Sequence, residues 1–239
     1  MNSREMKQDV KFKVNKLDSK QNRNFLVPEI DWVLNEAIEI FVYLVLHPKK
    51  ARDFGWYEAQ RSLDDIRTLI VTKELQKIGT NEYSLPDDIY YRLKDRGEAV
   101  ISQGKCKHKK ANFILKPYEV LDVNDTTNQS SFEWRRVVAY LLDGKKVKVL
   151  NNNCHVEINK LTLTYIKKPA FVHNAGDFKN NTYTKLDGTV LTGYNDSDLP
   201  EHTHREICDI AAMLLVQQQL NPDLQNQLLK LNINQLTNN

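Results

Sequence analysis

The chain has 239 residues, with 34 Lys and Arg against 31 Asp and Glu and a formal net charge of +3. That length supports a sizeable core, in one domain with appendages or in two small ones; the longest uninterrupted apolar run, Ile40 to Leu46, has seven residues, far short of the about 20 that a membrane-spanning helix needs. Three cysteines without a pairing pattern give no disulfide framework, and the opening MNSREMKQDVKFKVNK lacks the apolar core of a secretory leader, so the expectation is folding in a reducing cytoplasm.

The charge is unevenly placed. Residues 1–24 hold seven cations, Arg4, Lys7, Lys11, Lys13, Lys16, Lys20 and Arg23, against three acids, a surplus of four that leaves the remaining chain at a net −1. Val10, Phe12, Val14 and Leu17 are too few to form a core by themselves, so this basic arm is expected to be disordered unless a partner orders it. On that reading, deleting residues 1–24 leaves folding intact and weakens only assembly.

Pro28 then opens a helix at a position where its missing N–H costs little, and His47 with Pro48 closes it. Ile30, Val33, Leu34, Ala37, Ile38, Phe41, Val42 and Val45 form its apolar stripe. A second helix is expected from about Asp53, with Trp56, Ala59, Leu63, Ile66 and Ile70 on one face. The short link HPKKARD makes the two antiparallel neighbours. LPDDIYYRL (Leu85 to Leu93) begins with a proline turn and is open to a helical turn or a strand. From Asn112 the signals are mainly β: NFILKPYEVLDV, then RRVVAYLLDGKKVKVL with Asp143 and Gly144 suited to a tight turn, then CHVEINKLTLTYI with Leu161, Leu163 and Tyr165 alternating against Thr162 and Thr164.

A long polar loop with Gly176, Gly188 and Gly193 covers residues 169–198. A connection of that length is usually functional, mobile or ordered by a neighbour. LPEHTHREICDIAAMLL follows, with Ile207, Ile210, Ala211, Leu214 and Leu215 on one helical stripe, so it too must be buried against something. Asn221 and Pro222 end this helix. In the Asn/Gln tail beyond, Leu224, Leu228 and Leu231 are spaced for a short amphipathic helix that is marginal alone.

The expected fold class is therefore α+β: a helical bundle of two N-terminal helices plus a C-terminal helix, with an inserted antiparallel β region and extended terminal arms. Its parts are a basic arm over 1–24, a helical base over 25–84 completed by 198–220, a β-rich region with a long loop over 85–197, and a tail over 221–239.

The order of VPEIDWVLNEAIEIFV, LPDDIYY, LTYIKKP and LPEHTHREICDIAA resembles that of bacteriophage head-to-tail connector proteins, most of all the ring proteins of crAss-like phage tails. The resemblance spans Val27 to Ala212 and omits the basic arm and the tail. It implies a virion protein of the tail or neck, assembled in the host cytoplasm as a dodecameric ring. Such a ring binds the portal or other tail rings, continues the DNA channel and lets the genome pass without reading its sequence. It implies no catalytic centre and no cofactor.

The residues themselves carry few markers of chemistry. GxxxxGK[ST], GxGxxG and HExxH are all absent, which removes the usual markers of nucleotide hydrolysis, dinucleotide binding and zincin chemistry. Cys106 with His108, Cys154 with His155, and His202 with His204 are the nearest approach to a metal cluster. Lysines crowd the first pair and oppose a second cation, and the spacing of the last points its two rings to different helix faces; no metal site is expected. The pairs Asp64 and Asp65, Asp87 and Asp88, and Asp196 and Asp198 read as solvated or capping carboxylates. Trp32, Trp56 and Trp134 include candidate interface anchors, Trp56 being the one assigned to core.

Lys105, Lys107, Lys109 and Lys110 form a basic cluster that meets DNA phosphates, meets an acidic patch on a neighbouring subunit, or is simply a solvated hairpin tip. With Lys7, Lys11, Lys13, Lys16, Lys20 and Arg23 they are the candidate intersubunit or DNA-facing contacts, and Leu224, Leu228 and Leu231 are the candidate tail-docking contacts. The alternative reading is a nucleic-acid-binding accessory protein that uses the arm and the Lys105 to Lys110 loop as its electrostatic footprint.

Overall fold

The computed structural model describes residues 1–17, 25–46, 63–103, 106–116, 130–142, 145–151, 156–178 and 180–219, with side chains at all of these except 15–17, 94–96, 106–108 and 217–219. They divide into two compact units, one built from residues 1–68 and 169–239 and the other from residues 69–168.

The second unit is the larger correction to the sequence reading. Its described residues form the strands β1 (Ile70–Glu74), β2 (Gln76–Lys77), β3 (Glu82–Ser84), β4 (Ile89–Gln103), β5 (Cys106–Lys116), β6 (Arg136–Leu141), β7 (Lys146–Val149) and β8 (Glu157–Lys167). They form one sheet in the order β1-β8-β4-β5-β6-β7-β3-β2. The two outermost strands are consecutive pieces of one stretch, joined through Leu75, whose N–H donates to the Leu161 carbonyl at 2.8 Å. One side of that stretch pairs with β8 and the other with β3, so the sheet curls toward a barrel.

A helical bundle carrying an antiparallel insertion is thus not what forms: the largest assembly among the described residues is a nearly closed sheet, and the helices described are few. The sheet is also mixed, because β5 and β6 run parallel, Asn112 opposite Arg136 through Lys116 opposite Tyr140. The physical reason lies in the inward face. Ala99, Ile101, Ala111, Phe113, Leu115, Val137, Ala139, Val147, Val149, Leu161, Leu163 and Tyr165 alternate along their strands and share one core, which only a curled sheet can gather.

The second expected helix also fails at its end. Leu63–Asp65 is a helical turn, but Arg67–Leu69 tightens to a 3-10 turn and Ile70 begins β1. The run Ile70, Val71, Thr72 is β-branched throughout, and strand pairing with β8 outweighs the helical spacing of Ile66 and Ile70. The earlier part of that helix, Trp56 included, lies outside the described residues. Ile89–Leu93, open on sequence, is strand.

Among the described residues, the first unit has three helices longer than a single turn, α1 (Ser3–Leu17), α2 (Val27–Leu46) and α3 (His204–Gln219). α2 and α3 bury most of the apolar stripes read from the sequence: Ile30, Val33, Leu34, Ala37, Ile38, Phe41 and Val42 on one, Ile207, Ala211 and Leu215 on the other. α3 packs against both α1 and α2.

α1 overturns the disordered arm. Asn2 and Glu5 cap it reciprocally, the Glu5 N–H donating to Asn2 Oδ1 at 2.8 Å and the Asn2 N–H to Glu5 Oε2 at 3.0 Å, which is a capping box. Met6, Val10 and Val14, one turn apart, are all buried. Four spaced apolar residues are too few for a core of their own, but three on one face suffice when other helices supply the rest.

The polar stretch 169–198 is also built. β9 (His173–Asn174) pairs with β12 (Tyr194–Asn195), and β10 (Thr182–Thr184) pairs with β11 (Val190–Thr192). Gly188, at φ +83°, makes the tight turn between the last two, a backbone conformation that favours glycine.

Candidate functional site

The cations singled out in the basic arm divide by what they touch. Lys7 pairs with Asp177 of the 3-10 turn Ala175–Asp177, and burial, followed by the neighbouring Lys11, lowers its pKa. Lys13 reaches Asp9 at 2.9 Å, Asp209 of α3 at 2.7 Å and the Arg205 carbonyl at 3.1 Å. Burial opposes its charge, but the bonds to Asp209 and Asp9 win and raise its pKa. Arg4 lies 3.8 Å from Asp177 and sits over the Tyr194 ring. These side chains tie α1 into its own unit, so Lys7 and Lys13 are structural partners and not open DNA contacts. Lys11 is half-buried. The Lys16 and Lys107 side chains, and Lys20, Arg23, Lys105, Leu224, Leu228 and Leu231, lie outside what is described.

Behind that helix, Asp31 of α2 is fully buried. Its carboxylate accepts from the Asn174 N–H at 2.8 Å, from Asn174 Nδ2 at 2.8 Å and from the Tyr183 hydroxyl at 3.0 Å. One turn along, Asn35 both donates to the Val172 carbonyl at 2.7 Å and accepts from the Val172 N–H at 2.8 Å. Burial raises the Asp31 pKa against the pull of these donors, raises that of Tyr183, and lowers that of His173 beside them. The cluster fastens the 169–198 stretch to α2. With every Asp31 contact made inside the core, it is an anchor for the fold and offers no reacting atom to a substrate.

The paired carboxylates have structural partners as well. Asp88 accepts from Lys73 Nζ at 2.6 Å and the Tyr165 hydroxyl at 2.7 Å, and those bonds hold its pKa down. Asp87 meets Lys145 at 3.0 Å, Asp65 meets His202 at 2.8 Å, and Asp196 accepts the Ser3 N–H at 2.6 Å. His204 faces the Leu199 carbonyl at 2.9 Å, so the two histidines diverge as their spacing predicts. Burial pushes the Cys208 thiol up to about 12, far from nucleophilic use. Among the described residues, no three His, Cys, Asp or Glu side chains are grouped to hold a metal ion.

Two surfaces stand out instead. The first is a turn at one end of the sheet. Ser131 and Arg136 exchange backbone hydrogen bonds at 2.8 and 3.1 Å, and the Arg135 N–H closes on the Phe132 carbonyl at 3.3 Å. Arg135 takes φ 48°, a left-handed conformation that is uncommon for a residue with a side chain. Its carbonyl accepts the Asn112 N–H at 2.8 Å, which fixes the turn beside β5. Trp134 at the tip is 80% exposed, flanked by exposed Glu133 and Arg135. Just up β5, Lys109 Nζ lies 4.2 Å from the centre of the Phe132 ring and Lys110 is exposed. The described half of the lysine cluster thus meets an aromatic turn 20 or so residues away in sequence, through the parallel β5 and β6 pairing.

The second surface is the outer face of α2. Trp32, Glu36, Glu39 and Tyr43 follow helical spacing and are all exposed, the tryptophan 56% and the tyrosine 52%, with Leu44 exposed beside them. α2 contains no Lys or Arg, so this face is aromatic and acidic. Trp32 and Trp134 are candidate anchors on sequence; the acidic face and the left-handed Arg135 are not, although the missing cations of α2 are legible there. The chain matches no family model and no curated protein.

Proposed function

We propose that this chain is a structural virion protein that forms a connector ring between portal and tail, continuing the DNA channel and docking the next tail component. The resemblance in segment order, from VPEIDWVLNEAIEIFV to LPEHTHREICDIAA, sets the class. The observation that carries it is the placement of large apolar side chains on firmly built elements yet in solvent: Trp32, Tyr43 and Leu44 along one helix, Phe12 on another, Trp134 on a hydrogen-bonded turn. Scattered exposed apolar residues are ordinary, but an aromatic stripe along a helix suits a surface that a protein partner covers. The repeated copy is the natural partner in a ring.

Light scattering on the eluting full-length chain, with negative-stain images taken alone and with portal and tail proteins of the same virion, tests this. Rings, or subunits that complete a ring on the portal, are expected. A chain that stays monomeric in both settings and binds DNA with a steep loss in salt would reverse it in favour of a nucleic-acid accessory role. The internal use of Lys7 and Lys13 weighs against that role, since it removes two cations from the footprint.

A further inference from the structure

The acidic aromatic face of α2 and the cationic aromatic turn at Trp134 are complementary in both charge and character. We propose that the Phe132 to Arg136 turn of one copy docks on the outer face of α2 of a second copy, placing Trp134 beside Trp32 and setting Arg135 and Lys110 against Glu36 and Glu39. The proposal rests on the ring reading and deepens it by naming the contact between subunits.

Four observations support the pairing. Glu36 and Glu39 have no cationic partner among the described residues, and Lys110 and Arg135 have no acidic one. Both patches are centred on a tryptophan in solvent, the side chain most enriched at the energetic centre of interfaces. The turn is held by its own backbone bonds, so little freedom is lost on docking. The charges also fit a protein better than a phosphate track: acidic Glu133 sits within the turn, and among the described residues Lys110 and Arg135 meet Glu36 and Glu39 two against two. Because the patches differ, each copy offers one and receives the other, the head-to-tail arrangement that closes into a ring or runs on as a filament.

Two charge-reversed forms of the full chain test it, Glu36→Lys with Glu39→Lys, and Lys110→Glu with Arg135→Glu. All four positions lie at the surface, so circular dichroism and the melting temperature should match the parent. Sedimentation velocity over a concentration series should show each form needing about tenfold or more protein to assemble, and an equal mixture should recover the parental behaviour, since alternating copies then make one parental and one charge-swapped contact, both joining opposite charges. A photo-crosslinking residue in place of Trp134 should attach to the peptide holding residues 27–46 of another copy. Reversed forms that assemble like the parent, a mixture that is no better than either alone, or crosslinks to DNA or to any other protein surface would overturn the contact while leaving ring formation standing. A parent chain that is monomeric at every concentration and gives no crosslink between copies overturns it too. The experiment with portal and tail proteins then decides the ring reading separately.

Discussion

Two single residues show how tightly each unit is set. Gly97 lies where β4 is bonded to β8 on one side and β5 on the other, next to a register shift between Arg92 and Gly97. A Cβ there would run into the Thr162 carbonyl oxygen and stand 2.9 Å from Phe113 Cδ1. Neither can withdraw, the first being backbone and the second a buried core ring. Gly97→Ala is expected to cost about 2–3 kcal/mol by overpacking, read as a lower urea midpoint with the slope unchanged. His173 makes the other case. Burial depresses its pKa below the usual 6.5, so the folded chain binds fewer protons than the unfolded one. Its contribution is whole above pH 6.5 and is lost as the pH falls from there through the depressed value. Asp31 acts oppositely: its pKa is raised above 3.8, and stability is regained as the pH drops through that raised value. Between pH 7.5 and about 5, His173→Gln should therefore lose less stability than the parent, read from paired melting profiles.

At the scale of elements, α1 is the instructive one. Its cations suggested a solvated arm, yet Met6, Val10 and Val14 are in the core and Lys7 and Lys13 bond within the unit. Removing residues 1–17 is accordingly expected to lower the melting temperature of the chain by several degrees, three buried side chains at about 1.5–3 kcal/mol each being far more than a surface arm carries. Retention of the parental melting point in differential scanning calorimetry would restore the sequence expectation. The signals were present in the chain: Asn2 and Glu5 at capping-box spacing, and three apolar residues four apart. Charge density hid them, because composition cannot tell a helix laid on other helices from a free one. α2 and α3 were legible because their stripes are long and continuous. Ile70 was not, since its helical spacing from Ile66 competes with β-branching, and its partner Ile166 is almost a hundred residues away. The cationic turn was half legible: Trp134 and Lys110 could be flagged singly, but only the parallel β5 and β6 pairing brings them together.

At the scale of the whole molecule, residues 69–168 are one uninterrupted stretch with its own core, and Ile70 pairs with Ile166, so the stretch begins and ends on neighbouring strands. A stretch with adjacent ends and a private core can fold by itself. Residues 69–168 expressed alone are expected to unfold cooperatively in urea and to keep a dispersed proton NMR spectrum; a collapsed, undispersed product would show that the other unit is required. The bonding of β1 to β8 has a further consequence, in time. Its first strand cannot be paired until its last has been made, and α1 likewise waits for α3 at the other end of the chain. Each core can therefore form only once its own last element has been made, that of residues 69–168 before that of the helical unit. Being governed by distant pairings, folding should be slow for the chain's size, on the scale of milliseconds to seconds. During that interval the apolar strands of the sheet are open to other chains. A protein needed in many copies at one place would then gain from folding before its concentration rises.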